Sequence, residues 1–599
     1  ISADQVDYIE IIRGTSEELD VRGAGQIVNV VLLDLPSRSS TSIELNLDYW
    51  RDGTLDPGGQ ISYSGQAGEF NYLFAAQAEA GYNGRINREF GFDAGGTLGE
   101  ARREDWVRDQ TSYQASMNLG YTFENSVIQL NALLETRSPP VDINRTIYNV
   151  VSDTARFERE ENPSSRDNWE IGGDYEYSLG NGGKYRFLFI VNDRDQLFGQ
   201  ERFSVTENAE NKILFLSNMS RDRERIARTS YTFNINQAQG LELGIEASQT
   251  IRDGDLRLGL DIDGERSPDV GGLVPVSISN SKSTVEELRS ELFAVHNWQL
   301  NPRMSLESSL VYESSTIEQA GDVSNKRDFA FLRPKIDYRF DITPTLQLRA
   351  GIEKQVSQLS FSDFSATVDG SDVDQNTQAG NPGISQEQSW RYELNFELRL
   401  PNDIGVLNSQ FYYRDITDVI DRVDVSPSPD NLQSARGNIG DGKRYGVNLD
   451  LSARLSFLGL TNALLTTGLS LRDSEVLDPF LKVKRRMRNN GRWTARSSFR
   501  HDITSLGMSY GFRYEMNSNG GSGRTEVDVF DTEERIFQPE ISAFIEKQAF
   551  RSYTFRFEAS NIHQNEFCRT RTRYVGATAD GVLEEVEKYC SGSGMKLAL

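Results

Sequence analysis

The sequence predicts an all-β fold: a transmembrane antiparallel β-barrel of about 22 strands, preceded by a short segment that is not barrel. Three observations predict it. Segments of about ten residues alternate strictly between apolar and polar side chains. Tight turns and long polar connections alternate along the chain. No apolar run approaches the ~18 residues that a membrane-spanning helix needs.

The alternation is plainest in 389–400, where Trp390, Tyr392, Leu394, Phe396, Leu398 and Leu400 interleave with Arg391, Glu393, Asn395, Glu397 and Arg399. In 444–455, Tyr445, Val447, Leu449, Leu451, Ala453 and Leu455 alternate with Arg444, Gly446, Asn448, Asp450, Ser452 and Arg454. The series Tyr113 to Phe123 and Tyr553 to Ala559 behave alike. A soluble sandwich also alternates, so the joints decide. Turn-forming residues stand at Gly65–Gly68, Glu124–Ser126, Gly180–Gly183, Gln237–Gly240, Leu300–Pro302, Ile342–Thr345, Pro401–Ile404 and Ser456–Leu458. Between them lie long polar connections at about 83–110, 138–167, 195–224, 251–284, 357–386, 421–436, 474–490, 517–537 and 563–592. A membrane barrel has short turns at one rim and long loops at the other.

Composition agrees. Hydrophobic residues are only 37% and aromatics 10%, with 50 glycines against 16 prolines; mean hydropathy is −0.53. A chain polar on average yet aromatic throughout carries many thin apolar faces, whereas disordered chains lack aromatics. The net charge of −25 disfavours nucleic acid, for want of a basic field to displace counterions. No basic-then-apolar leader stands at Ile1, so a presequence is expected to have been removed or to lie outside this sequence. A chain that spans lipid without helices does so as a closed barrel, which satisfies every backbone group internally.

Two cysteines, Cys568 and Cys590, lie in the last long connection. They fit one structural bridge in an oxidising compartment, with two unrelated thiols as the alternative. Closing that loop of about twenty residues contributes about 3 kcal/mol in the chain-entropy model. His296, His501 and His563 are far apart and suggest no nucleophilic triad. Asp369, Asp372 and Asp374 offer clustered carboxylates for calcium, though without the spacing of an EF-hand, and a solvated acidic loop is the plainer reading. Trp50, Trp169, Trp298, Trp390 and Trp493 read as interfacial girdle. No metal site and no cofactor are expected, and no catalytic constellation points to an enzyme.

The first residues differ. Val6 to Ile12 reads as a short strand ending at Arg13–Gly14. Thr15 to Asp20 reads as a capped turn or short helix, Gly23–Ala24–Gly25 as a bend, and Ile27 to Leu32 as a strand buried on both faces. The stretch Ile9-Glu10-Ile11-Ile12-Arg13-Gly14, followed by Gly25-Gln26-Ile27-Val28-Asn29-Val30, resembles the end of the plug domain in TonB-dependent outer-membrane receptors. Asn381-Pro382-Gly383-Ile384 before Tyr392-Glu393-Leu394, Phe411-Tyr412 through Ile416, Asp418 and Ile420, Arg444-Tyr445-Gly446-Val447 and Lys596-Leu597-Ala598-Leu599 resemble strands of that family in the same order.

The resemblance implies a domain division: residues 1–36 as the C-terminal part of a plug in the lumen and 37–599 as the barrel with long extracellular loops. It implies a plug–barrel lock between Arg13 and the wall residue Glu393. A second wall glutamate is expected where Asn448 stands, and Asp450 shares its parity. A complete member carries a TonB-binding segment and more plug before Ile1, and a terminal aromatic, so a fragment of a receptor is expected. The implied partners are the inner-membrane TonB complex, through a segment missing here, outer-membrane lipid and lipopolysaccharide, and a small solute. The implied function is import of a scarce solute (siderophore, cobalamin, oligosaccharide or similar) into the periplasm. A passive porin-like channel and a surface binding or adhesion protein are the alternatives. Haem members usually carry a Phe-Arg-Ala-Pro stretch and a loop histidine before the Asn-Pro motif; residues 356–380 contain neither, which disfavours haem.

Overall fold

A computed structural model describes residues 6–13, 26–32 and 39–599, except 181, 279, 369–376, 430–431, 489, 519–525 and 551; for 6–13 and 26–32 it describes the backbone alone. Twenty-two antiparallel strands close into a barrel. They are β1 Ser39–Trp50, β2 Leu55–Ala67, β3 Phe70–Ala80, β4 Thr111–Thr122, β5 Ser126–Arg137, β6 Ser164–Ser178, β7 Lys184–Val205 and β8 Glu210–Asn236. Next come β9 Gln239–Leu260, β10 Lys282–Asn301, β11 Met304–Gly321, β12 Asn325–Thr343, β13 Leu346–Val356, β14 Gln388–Arg399 and β15 Gly405–Thr417. The last are β16 Gly442–Arg454, β17 Ala463–Leu477, β18 Trp493–Ile503, β19 Met508–Ser518, β20 Glu540–Ala549, β21 Tyr553–Ser560 and β22 Lys596–Ala598.

The barrel closes on its shortest strand. β22 pairs with β21 on one side and β1 on the other, and Leu47 and Leu599 exchange N–H···O bonds of 2.9 and 3.0 Å. Lys596 Nζ reaches Asp48 at 2.7 Å beside that seam. Closure leaves no sheet edge in hydrocarbon, where an unpaired backbone group costs several kcal/mol.

The apolar phase of each strand faces outward, as the alternation predicts. Leu45 (80% exposed), Leu134, Leu292, Tyr392, Phe411, Tyr445 and Phe557 are exposed on that face. Trp169, Trp298 and Trp390 are exposed with them, and so are Tyr121 and Tyr553. His296, 6.3 Å from the Trp298 ring, and His501, 5.4 Å from the Tyr510 ring, belong to this aromatic face.

One expectation fails. Residues 195–224 are not a long connection: β7 runs 22 residues and β8 runs 27, joined by the tight turn 206–209, where Thr206 N donates to Ala209 O. Likewise β9 continues to Leu260 through the first part of the expected loop 251–284. The reason is physical. Beyond the lipid no face is held to hydrocarbon, so charged stretches such as 193–195 and 221–225 interrupt the apolar/polar alternation while backbone pairing continues.

The loops are themselves paired. Hairpins Asn83–Asp93/Leu98–Arg108, Val141–Asn149/Thr154–Asn162 and Phe567–Tyr574/Leu583–Gly592, with strand Asp531–Phe537, join edge to edge. At the far end Thr154–Asn162 pairs with the extension of β7. This loop sheet passes above β1–β2, whose own turn spans only 51–54. Separately, Val6–Arg13 and Gln26–Leu32 pair with each other antiparallel, Arg13 opposite Gln26. The expected strands are therefore present, while the expected helix at 15–20 and bend at 23–25 lie outside the described residues, as do Asp369, Asp372 and Asp374.

Candidate functional site: the luminal wall and its loop-side vestibule

The polar phase of β14 to β17 lines the lumen, and the register stacks it into rows. From the loop rim inward, these are Arg391–Arg414–Arg444, then Glu393–Tyr412–Gly446–Arg472, then Asn395–Gln410–Asn448–Ser470, then Glu397–Asn408–Asp450–Gly468. Both barrel residues singled out by sequence therefore do face the lumen. Glu393 is ion-paired with Arg391 and accepts from Gln410 Nε2 at 3.3 Å. Asn448, where a second glutamate was expected, donates to Gln410 Oε1 at 2.7 Å, so an amide chain links it to Glu393. Asp450 binds Arg496 of β18 at 2.7 Å. That pair spans the intervening strand because Gly468 lies between: a Cβ there would stand 2.5 Å from Arg496 Nε and 2.8 Å from Asp450 Oδ1. Similarly Tyr412 leans over Gly446, whose Cβ would meet its hydroxyl at 2.7 Å. Of these groups Gln410, Asn448, Asp450, Gly468 and Arg496 border a recess of about 450 Å³. The Arg13 side chain lies outside the described residues; Glu393 and Asp450 are paired instead with Arg391 and Arg496 of the wall.

Over the mouth, the described parts of the connection 357–387, residues 357–368 and 377–387, pack against the barrel. Leu359, Phe364 and Ile384 pack on Val285 of β10 and Ile317 of β11, and Ala366 packs on Leu214, Leu216, Leu256 and Leu258 of the extended β8 and β9. Phe364 and Ile384 are fully buried. Polar ties fix its path: Gln319 Nε2 donates to Phe364 O at 3.1 Å and Asn325 Nδ2 to Pro382 O at 2.8 Å. Asn381 of the family-like motif turns its own loop, accepting from Gly383 N, and donates to Arg436 O at 2.9 Å. A second anchor is Arg485, which bridges Asp421 at 2.9 Å and Asp478 at 2.5 Å, joining two further loops.

The loop sheet buries charge on one face. Arg145 holds Glu104 at 2.6 Å, Glu158 at 3.0 Å and Glu160 at 3.4 Å, and Arg202 holds Glu160 at 2.8 Å. Arg102 binds Glu89 at 3.0 Å, and Arg571 lies 3.3 Å from Glu533 and 3.5 Å from Asp531. Burial pushes the Glu89 carboxyl up to about 7, against the pull of Arg102. It pushes Asp531 up to about 7 as well, with Asp528 adding repulsion. Glu160 goes the other way: despite burial, Arg202 and Arg145 hold it below its ordinary value. In the same sheet Cys568 and Cys590 are directly opposite and form a disulfide, Cα–Cα 4.1 Å. Glu566 lies beside the two sulfurs, but the bond consumes both as metal ligands.

Sequence reasoning missed Arg414, Arg444, Arg472, Arg496 and Gly468 as site residues. Each stood in the polar phase of a recognised strand, but their adjacency exists only once the register is fixed.

Comparison with known proteins supports one assignment. The family model described as TonB dependent receptor-like, beta-barrel, matches residues 90–539. No curated protein matches the sequence. Among solved structures the fold resembles the copper transporter OprC (TM-score 0.63, 13% identity, covering 99% of this chain and 86% of that one). It also resembles the ferric yersiniabactin uptake receptor FyuA from Yersinia pestis (TM-score 0.59, 12% identity, 99% and 85%). A third is the siderophore receptor PirA from Pseudomonas aeruginosa (TM-score 0.55, 12% identity, 99% and 87%). Members of the matched family are transporters rather than enzymes. A closed, lipid-faced barrel with a polar lumen, the chain belongs to the TonB-dependent receptors of the outer membrane.

Proposed function

We propose that this receptor imports a scarce solute into the periplasm, with the TonB complex of the inner membrane supplying the work. The observation that carries this reading is the vestibule: a polar luminal wall roofed by an inward-folded loop whose apolar residues are buried against the barrel. An open porin has no need of a packed roof, and an adhesin has no need of a polar path beneath it. Solutes in the class of metal ions and ferric chelates come first, because the solved proteins of this fold named above are a copper transporter and two siderophore receptors; cobalamin and oligosaccharide follow.

Residues 1–36 serve in this reading as the end of the plug, with 37–599 as the barrel. Arg13 engages Glu393 and Asp450, displacing Arg391 and Arg496 from them in whole or part; bidentate Arg–carboxylate contacts fix orientation as well as position. The test is uptake by a deletion strain across iron-limited and glycan-limited media, with the proton gradient intact and then collapsed. Uptake that survives collapse of the gradient returns the protein to the passive-channel alternative. Arg13→Ala is expected to raise single-channel conductance in planar bilayers; unchanged conductance removes the lock.

A further inference from the structure

The first luminal row places three arginines in directly opposing positions on three adjacent strands: Arg391 on β14, Arg414 on β15 and Arg444 on β16. Opposed residues on one face lie within about 5.5 Å at Cβ, and like charges so placed repel. Glu393 neutralises Arg391. No carboxylate lies within 4 Å of the Arg414 or Arg444 guanidinium among the described residues; Arg444 Nη2 touches only the Met487 sulfur, at 3.7 Å. One row inward, Arg472 is also without a carboxylate there. Neutral acceptors hold it instead, Gly491 O at 2.7 Å and Thr494 Oγ1 at 3.0 Å.

Several other luminal cations are ion-paired. Lys335 sits 3.1 Å from Glu307, Arg333 lies 2.8 Å from Glu291, and Arg289 lies 3.4 Å from Glu246. In a chain of net charge −25, carboxylates are plentiful, yet Arg414, Arg444 and Arg472 stand together without one within 4 Å among the described residues; Arg349, deeper in the wall, is held by a neutral acceptor too, Gln347 Oε1 at 2.9 Å. The row sits one residue from the outward-facing Trp390, at the rim and beneath the loops. It is the charged row of the wall nearest the loops.

We propose that Arg414, Arg444 and Arg472 form the recognition patch for an anionic solute carrying several carboxylates or comparable oxyanions. Guanidinium forks match such groups two bonds at a time. Low-dielectric walls concentrate their field at the mouth of the lumen. The inference rests on the import reading for its physiological purpose, but binding itself does not require energised transport.

The test uses the purified, detergent-solubilised receptor and equilibrium dialysis with three probes: radiolabelled tricarballylate, tripolyphosphate, and the uncharged triamide of tricarballylate. One or both anions are expected to bind, more weakly as salt is raised, while the triamide does not. Arg414→Gln with Arg444→Gln is expected to raise Kd by about tenfold or more for each charge lost. Arg414→Lys with Arg444→Lys restores part of the affinity, and each variant is checked for the heat-modifiable mobility of a folded barrel. Failure of both anions to bind overturns the proposal, as does equal affinity in the wild type and the glutamine variant. Binding of the triamide as tight as that of the anions shows that charge is not what is recognised and also overturns it. Loss of energised uptake with anion binding intact refutes the import reading alone.

Discussion

Arg414 and Arg444 face each other across neighbouring strands at the rim of the lumen, two like charges in register. Such an arrangement costs stability, by a few tenths to about 1 kcal/mol for directly opposed like charges. Arg414→Gln is therefore expected to stabilise the barrel slightly, read as a higher urea midpoint for conversion to the unfolded band in electrophoresis. Destabilisation by that substitution would mean that the row is held by attraction rather than strained by repulsion.

The loop sheet is expected to loosen as pH rises. Glu89 and Asp531 ionise near 4.5 and 3.8 in ordinary surroundings and near 7 when folded. Between those values the folded state holds more protons than the unfolded one, so stability falls with rising pH and levels off above about 7. Glu160 has the opposite sign: its contribution is present above about 4.5 and is lost on acidification through its lowered folded value. Hydrogen exchange at 83–93 and 531–537, corrected for intrinsic rates, should be faster at pH 8 than at pH 5.5. Glu89→Gln should flatten that dependence in the first segment.

Removing the disulfide with Cys568→Ser and Cys590→Ser costs at most about 3 kcal/mol by the chain-entropy model. Phe567–Tyr574 and Leu583–Gly592 also keep their full ladder of pairing. The expected outcome is faster cleavage of this hairpin by protease added to intact cells, with the barrel's own unfolding midpoint unchanged. A fall in that midpoint would show that the bridge stabilises the wall as well as the loop.

Phe364→Ala empties the centre of the cluster that seats the inward loop. Truncating a fully buried phenylalanine costs about 3–5 kcal/mol, more than a single loop is expected to withstand. Residues 357–387 should then exchange and proteolyse as a released segment while the wall remains folded. Protection of the loop equal to wild type would show that the polar ties alone seat it.

Much of this architecture is legible in the sequence, and the limits are instructive. Wherever one face of a strand meets lipid, the apolar phase marks it, so Trp390 to Leu398 and Tyr445 to Leu451 identify themselves. The extension of β7 and β8 does not: Asp193, Asp195, Arg221 and Arg223 on one face and Gln200 and Arg202 on the other leave no apolar phase to detect. Glu393 and Asp450 could be placed in the lumen by parity alone. The row of arginines could not, because Arg391, Arg414 and Arg444 become neighbours only through the turns at 400–404 and the loop 418–441. The bridge of Cys568 to Cys590 was accessible by simple counting, whereas the charges surrounding it were not.

The edge-to-edge pairing of the loop hairpins restricts how this surface can drift under pressure from phage, bacteriocins or antibodies. A residue inserted within Asp531–Phe537 or Asn83–Asp93 would shift the register and turn buried Glu533 or Glu89 to the opposite face. The tips at 94–97, 150–153 and 206–209 carry no such constraint, whereas 575–582 is tied down by Thr578, buried and bonded to the backbone of Asp528 and Val529. Length variation in this sheet is thereby channelled into three small crowns, leaving the paired scaffold beneath them unchanged.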